Sequence, residues 1–336
     1  MLARPIQSAS LLLISLSFSF PAAAAHGVRS SRLEAMQDAP TGALAPQAAA
    51  QAPTVPAPDT AHFLVPFALP ADFTTPFDIN DNGVIVGNLE FTDSSSSFVF
   101  QDGAVIQVDP PRAAGFSELV AVSNRGDAVG DYLDADGIDR GFLRTADGTI
   151  SDLPDPVPGF TFNLPFGINA RGAIVGSYTT GPNLGSCVGY LLRNGRYQTI
   201  DIPGATCVFP NGINDDGDIV GNWLDTDRFS HGFLIPAGDR DGDRSSDSRI
   251  VDITIPGLAT VPFHINGRGE IVGDYFIRIG RRLVGHGFVQ RGSEVRTLDD
   301  PSGVFTVLTG VNDGGVIAGS SSNGGFLAIR KARAEQ

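Results

Sequence analysis

A fifteen-residue stretch, Phe209 to Trp223 (FPNGINDDGDIVGNW), recurs in imperfect form six times along the 336-residue chain, and this recurrence constrains the fold more than any other feature. The glycine closing each copy stands at Gly87, Gly130, Gly176, Gly221, Gly273 and Gly319, so successive copies lie 43, 46, 45, 52 and 46 residues apart. A period in the forties marks an architecture that repeats one supersecondary unit. Four copies carry Ile-Asn, a two-residue polar step, glycine and a short apolar run ending in glycine: Ile79 to Gly87, Ile168 to Gly176, Ile213 to Gly221 and Ile265 to Gly273. The second and sixth are degenerate, with Val122-Ser123 and Val311-Asn312 in the same places.

Each unit holds four strand-like runs. In the third they are Phe162 to Asn169, Ala173 to Tyr178, Val188 to Arg193 and Tyr197 to Ile202. The Asn-x-x-Gly step between the first two (Asn169 to Gly172) suits a tight hairpin, because asparagine bonds the nearby backbone and glycine takes positive φ without steric cost. The third run carries an aromatic (Phe98, Phe142, Tyr190, Phe233, Phe288, Phe326), and the fourth ends near a proline in five units. Proline cannot donate to a ladder and so stops the strand. Alternate positions after the anchor glycines hold Leu89, Tyr132, Tyr178, Trp223, Tyr275 and Ser321, so a large ring is expected beside the glycine where sheets approach.

The ends of the array decide between an open solenoid and a ring. The sixth copy supplies Val304 to Val311, Val316 to Ser320 and Phe326 to Arg330 but no fourth run, whereas an orphan run, His62 to Leu69, precedes the first copy. Pairing the orphan with the last run leaves no sheet edge open. The expected fold is all-β, a six-bladed β-propeller of four-stranded blades closed by an N-terminal strand. Residues 1–25 read as a secretory signal, with Arg4, an apolar core Leu11 to Phe20 and an alanine run to Ala25. Residues 26–60 are rich in Ala, Pro and Gln and read as a disordered linker, which leaves 61–336 for the repeat domain. No second apolar stretch is long enough for a membrane span, so the mature chain is expected to be secreted, extracellular or periplasmic, and monomeric.

Units such as GINDDGDIVGNWLDTDRFSHGFL, with TIDIPGA (Thr199 to Ala205) elsewhere, resemble the bacterial extracellular repeats of the HAF family. The likeness spans residues 61–330; the first, second and sixth copies lack the His-Gly-Phe step of His231 to Phe233 and His286 to Phe288. The resemblance implies secretion and a repeat fold, and carries no catalytic residues across.

The formal charge of -14 belongs to the repeat region, since residues 1–60 hold three arginines and three acids. Such a surface repels phosphate backbones, so nucleic acid is not an expected partner. The two cysteines, Cys187 and Cys207, are expected to form a disulfide in an oxidising compartment, free buried thiols being the alternative.

Three constellations bear on chemistry. Asp239, Asp241, Asp243 and Asp247 resemble a calcium loop of the DxDxDGxxD kind, with Arg244 where a glycine is expected. Calcium is therefore the one cofactor weighed, against none and a solvated acidic hairpin. His231 and His286 occupy the same third-strand position in different units, too far apart to share an ion, and read as packing residues, while His264 stands by itself on an inner strand. Small polar residues follow every anchor glycine (Asn88, Asp131, Ser177, Asn222, Asp274, Ser320), which points to a structural role before a catalytic acid pair. Nucleophile-elbow, P-loop and HExxH motifs are absent. These features favour a secreted binding or interaction scaffold for an extracellular glycan or protein ligand. The alternative is a hydrolase or lyase acting on an extracellular polymer at the channel mouth.

Overall fold

The computed structural model describes residues 55–179, 187–237, 250–280 and 282–331. Among these residues every regular element is a strand, and no helix is long and apolar enough to cross a membrane. The acidic hairpin with Asp239, Asp241, Asp243 and Asp247 lies outside the described residues.

Each repeat folds as an antiparallel meander. In the first, Phe73–Ile79 pairs with Ile85–Phe91, which pairs with Ser94–Gln101, which pairs with Ala104–Val108. The same order builds the fourth repeat from Cys207–Ile213, Ile219–Leu224, Ser230–Ile235 and Val251–Asp252. Every first strand carries a bulge at one place, between Pro76 and Asp78, Leu119 and Ala121, Pro165 and Gly167, Pro210 and Gly212, Pro262 and His264, and Leu308 and Gly310. A bulge bends a strand and re-aims its side chains. Here it lets the end of each first strand deliver its polar step to a common centre.

The anchor glycines are explained by register. Each pairs with the third-strand aromatic: Gly87 with Phe98, Gly130 with Phe142, Gly176 with Tyr190, Gly221 with Phe233, Gly273 with Phe288 and Gly319 with Phe326. A Cβ built on Gly87 would meet a Phe98 ring atom at 2.8 Å, and the backbone carbonyl of Thr75 on its other side. The covering ring is thus the third-strand aromatic, not the residue two beyond the glycine that the spacing suggested.

Apolar clusters form between consecutive repeats. Val175 and Leu191 of the third pack with Ile219 and Phe233 of the fourth, and Val289 and Leu298 of the fifth with Leu308 and Ile317 of the sixth. The series returns on itself, because Ala318 of the sixth packs with Ile85, Leu89 and Phe98 of the first. The arrangement is propeller-like, with Cys187 and Cys207 disulfide-bonded at a Cα separation of 4.6 Å. This bond joins the third repeat to the start of the fourth, where the two residues also form a parallel bridge.

Two details depart from the sequence reading. Hydrogen bonding joins the second and third repeats into one eight-stranded sheet through the single pair Phe162 and Asp139, so five sheets stand where six separate ones are expected. The amino-terminal run pairs with the last strand as expected, His62 opposite Arg330 and Pro66 opposite Phe326. The packed region nonetheless starts before Ala61: Ala57–Pro58 lies parallel to Glu294–Thr297, giving the fifth repeat a fifth strand. Asp59 anchors that segment, accepting from Ala61 N at 2.7 Å and His62 N at 3.1 Å. Local hydrogen bonds thereby hold a segment whose composition alone reads as linker.

Candidate functional site

The hairpin turns between first and second strands converge on one cavity of about 250 Å³, lined at equivalent positions by Asn80, Ser123, Asn169, Asn214, Asn266 and Asn312. Each asparagine works in two directions. Its Oδ1 closes its own turn, as in Asn266, which accepts from Arg268 N at 3.0 Å and Glu270 N at 2.9 Å. Its Nδ2 reaches the main chain of the next repeat: Asn80 donates to Ser123 O at 2.8 Å, Asn169 to Asn214 O at 3.0 Å, Asn214 to Asn266 O at 3.2 Å and Asn266 to Asn312 O at 3.0 Å. Asn312 donates back to Asn80 O at 3.2 Å. Ser123 is too short to make the corresponding step, and the Arg125 guanidinium donates to Ala170 O at 3.4 Å instead.

Replacing Asn266 with alanine removes three hydrogen bonds from a residue only 4% exposed. A loss of about 3 kcal/mol is expected in urea denaturation, near 1 kcal/mol for each bond. A loss no greater than that of an exposed turn residue would refute the structural role given to the circuit.

Outside this circuit stands a rim of carboxylates. Asp313 N donates to Asp81 Oδ1 at 2.7 Å, Asp81 N to Asn124 Oδ1 at 3.0 Å and Ala170 N to Asp215 Oδ1 at 2.7 Å. Asn124 Nδ2 bridges two of the acids, 2.7 Å from Asp81 Oδ2 and 3.2 Å from Asp215 Oδ2. Asp313 lies over Gly267, where a Cβ would meet its Oδ2 at 2.9 Å, and its Oδ1 is buried without a hydrogen-bond partner. Arg125, Arg171 and Arg268 occupy turn positions just beyond the lining and are exposed.

Below the asparagines the first strands present small residues, Ala121, Gly167, Gly212 and Gly310, with two exceptions, Asp78 and His264. Those two fill the space left by the others, His264 Nε2 standing 3.4 Å from Asp78 Oδ1. Asp78 is 1% exposed and also accepts from Ile79 N at 2.8 Å and Val122 N at 2.9 Å. Burial pushes its carboxyl up against the downward pull of His264 and of those two N–H groups. His264 is thus not alone, as its sequence position suggested; its partner comes from the opposite end of the chain. Its imidazole lines the cavity while Nδ1 is buried with no partner.

The other sequence-derived candidates resolve as packing. His231 stacks on Trp223 at 4.3 Å and contacts Asp225 Oδ2 at 3.0 Å; His286 stacks on Tyr275 at 5.4 Å and contacts Asp299 Oδ2 at 2.8 Å. The polar residues after the anchor glycines are buried and tie neighbouring strands together: Asn88 Nδ2 donates to Ser117 O at 3.0 Å and Ser177 Oγ to Val208 O at 2.7 Å. Asp131 and Asp274 sit in separate sheets at 1% exposure each, so they form no acid pair at a channel mouth. Among the described residues no group of His, Cys, Asp or Glu could hold a metal ion.

Asp274 is the costly member of that set, because its Oδ1 has no hydrogen-bond partner and burial holds its carboxyl well above the usual range. The folded form therefore keeps a proton that the unfolded chain releases near pH 4, and stability falls as pH rises above that point. Asp274→Asn, which copies Asn88 and Asn222 of sibling repeats, is expected to stabilise the protein by at least about 1 kcal/mol at pH 7. The gain should shrink toward pH 4 in parallel urea titrations, and an equal gain at both pH values would refute the account.

No protein-family model matches the chain, and no curated protein matches it significantly. Among solved structures, a putative TolB from Agrobacterium tumefaciens overlays with a TM-score of 0.51, covering 80% of this chain and 93% of that one at 14% identity. AofleA from Arthrobotrys oligospora overlays at 0.50, covering 82% and 88% at 11% identity. A streptogramin B lyase overlays at 0.48, covering 81% and 98% at 12% identity. Likeness at such identities concerns the fold alone, here the propeller-like arrangement of antiparallel sheets.

Proposed function

We propose that the protein is a secreted, six-bladed propeller of the HAF-repeat type that binds an extracellular glycan or protein ligand in the cavity where its first-strand hairpins meet. The carrying observation is that cavity of about 250 Å³, walled at every repeat by a polar residue and rimmed by Asp81, Asp215 and Asp313. Concave sites with convergent polar groups are where ligands bind. The polar groups there suit hydroxyl and amide groups, since Asn124 holds the carboxylates of Asp81 and Asp215 in place at the rim. Ring closure is supported by the pairing of His62–Pro66 with Gly324–Arg330 and by the return bond from Asn312 to Asn80. A disulfide fits an extracellular or periplasmic setting.

The test is a glycan array and an extracellular protein screen on the mature chain, repeated with Asp215→Asn and Asp81→Asn. Binding that weakens tenfold or more in the rim variants is expected, since each loses a charge-assisted contact. Binding indifferent to both substitutions, or none in either screen, would overturn the reading.

The second reading, a hydrolase or lyase, rests on one observation, the cavity-lining His264 backed by buried Asp78. A carboxylate that orients an imidazole is a recurrent general-base device. Turnover of an extracellular polymer that falls a hundredfold or more in His264→Gln would support it, and turnover unchanged by that substitution would exclude this pair as its source.

A further inference from the structure

The hairpin between the second and third strands of the fifth repeat has longer strands than its counterparts among the described residues. Its strands, Glu270–Ile279 and Arg282–Arg291, are 10 residues each, whereas the matching strands of the fourth repeat have 6. The first strand of the fifth repeat stops alongside at Ala259, opposite Phe276. Beyond that point the pairs Ile277 and Val284, Arg278 and Leu283, and Ile279 and Arg282 continue with no third strand beside them. At about 3.3 Å per residue this two-stranded finger stands roughly 10 Å clear of its sheet. The cavity turn Asn266 to Gly269 lies at the other end of the same second strand, about 30 Å away at that rise, so the finger and the cavity face opposite ways.

Its composition is as unusual as its length. Ile279 is 61% exposed and Leu283 50%, among the most exposed large apolar side chains described. Strand pleating alternates faces, so the register places Ile279 with Arg282 on one face and Leu283 with Arg278 on the other. Both arginines are exposed, and among the described residues neither has an ion-pair partner. The carboxylates near its base are engaged, Asp299 by His286 and Asp300 by Ser321. The finger therefore carries one aliphatic and one guanidinium group on each face. It suits a partner with negative charge at its surface and hydrocarbon just beneath.

We infer that this finger docks the protein onto an anionic lipid surface, inserting Ile279 and Leu283 while Arg278 and Arg282 meet the headgroups. The chain as a whole carries a net charge of -14 with these arginines counted, so the body behind the finger is strongly acidic and would be repelled by such a surface at close range. A projection of roughly 10 Å exceeds the screening length of about 8 Å at physiological salt, so the tip makes contact while the acidic body stays screened. An anionic polysaccharide would satisfy the arginines but leave the two aliphatic tips in water, and the lipid surface accounts for both.

The experiment uses the full mature chain and vesicles of phosphatidylcholine with and without phosphatidylglycerol, at physiological ionic strength. Sedimentation with the anionic vesicles and little with the neutral ones is expected. Arg278→Gln with Arg282→Gln should weaken it about thirtyfold, and Ile279→Ser with Leu283→Ser about a hundredfold. All four positions lie beyond the three-stranded part of the sheet, so both pairs should keep the wild-type melting temperature. Ile279→Trp supplies an independent reading: its emission should shift to the blue and be quenched by brominated acyl chains, unlike that of the sole native tryptophan, Trp223. Equal binding to both vesicle types, or binding indifferent to both variant pairs, would overturn the inference. So would loss of a concentration-dependent self-association in the variants with no lipid binding in the wild type, which would make the finger a contact between copies.

Discussion

Gly221→Ala is expected to cost about 3 kcal/mol or more in urea denaturation, the upper end of overpacking losses. The added methyl has nowhere to go. It would sit 2.9 Å from Phe233 Cζ and 2.9 Å from Pro210 Cα, with the backbone carbonyl of Phe209 also in its way. Phe233 is fully buried against the neighbouring repeat and cannot swing aside, and the other obstacles are main chain. Relief would require the first strand to move, and that strand carries Asn214 and the cavity wall with it. The informative control is Gly103→Ala in an exposed hairpin, where φ is +78° and nothing lies within 4 Å. There the cost is conformational only, about 1 kcal/mol. Equal losses at the two sites would refute the close-approach explanation of the anchor glycines.

Removing the disulfide is the second large effect. Cys187→Ala with Cys207→Ala, or reduction of the native chain, is expected to cost about 3 kcal/mol, the chain-entropy value for a loop of about 20 residues. The sequence separation is 20, and the sulfurs are buried in a cluster with Phe162 and Leu164, so the alanine pair also forfeits some packing. The bond crosses a boundary between repeats that is also held by apolar packing, Val175 and Leu191 against Phe233, and by hydrogen bonds such as Ser177 Oγ to Val208 O. The repeat array should therefore stay folded near room temperature and melt earlier. Denaturation curves with and without reductant check this; curves that coincide would show that the bond does not constrain the unfolded chain.

Much of the fold is legible because a repeat states its rules several times. Asn-x-x-Gly predicts a hairpin from local chemistry, and the turns Asn80 to Gly83 and Asn169 to Gly172 close with main-chain bonds of 3.0 and 2.9 Å. The missing fourth run of the last repeat calls for the orphan near the amino terminus, and His62–Pro66 takes that place. Two things resist such reading. The parallel pairing of Ala57–Pro58 with Arg296 and Thr297 joins residues some 240 positions apart through a few specific bonds, among them Thr297 Oγ1 to Pro56 O at 3.0 Å. No local pattern announces it in an Ala- and Pro-rich segment. The ring over each glycine is hidden for a related reason, since which aromatic lies opposite depends on hairpin length.

The sequence by itself determined the class, the repeating unit, the inner position of the first strand and the polar character of its end, because period, turn chemistry and strand alternation are local properties. Only the tertiary structure decided what those ends do together. Asp78 and His264 are 186 residues apart, and neither carries a motif, yet the bulged first strands bring them within 3.4 Å. The asparagines read as turn formers, and turning them inward converts five of them into donors that link one repeat to the next. The physical reason is that a site where the first-strand turns converge draws one or two residues from every repeat. Its chemistry depends on which side chains differ from their siblings at one level, and only the packing of repeat against repeat brings those levels together.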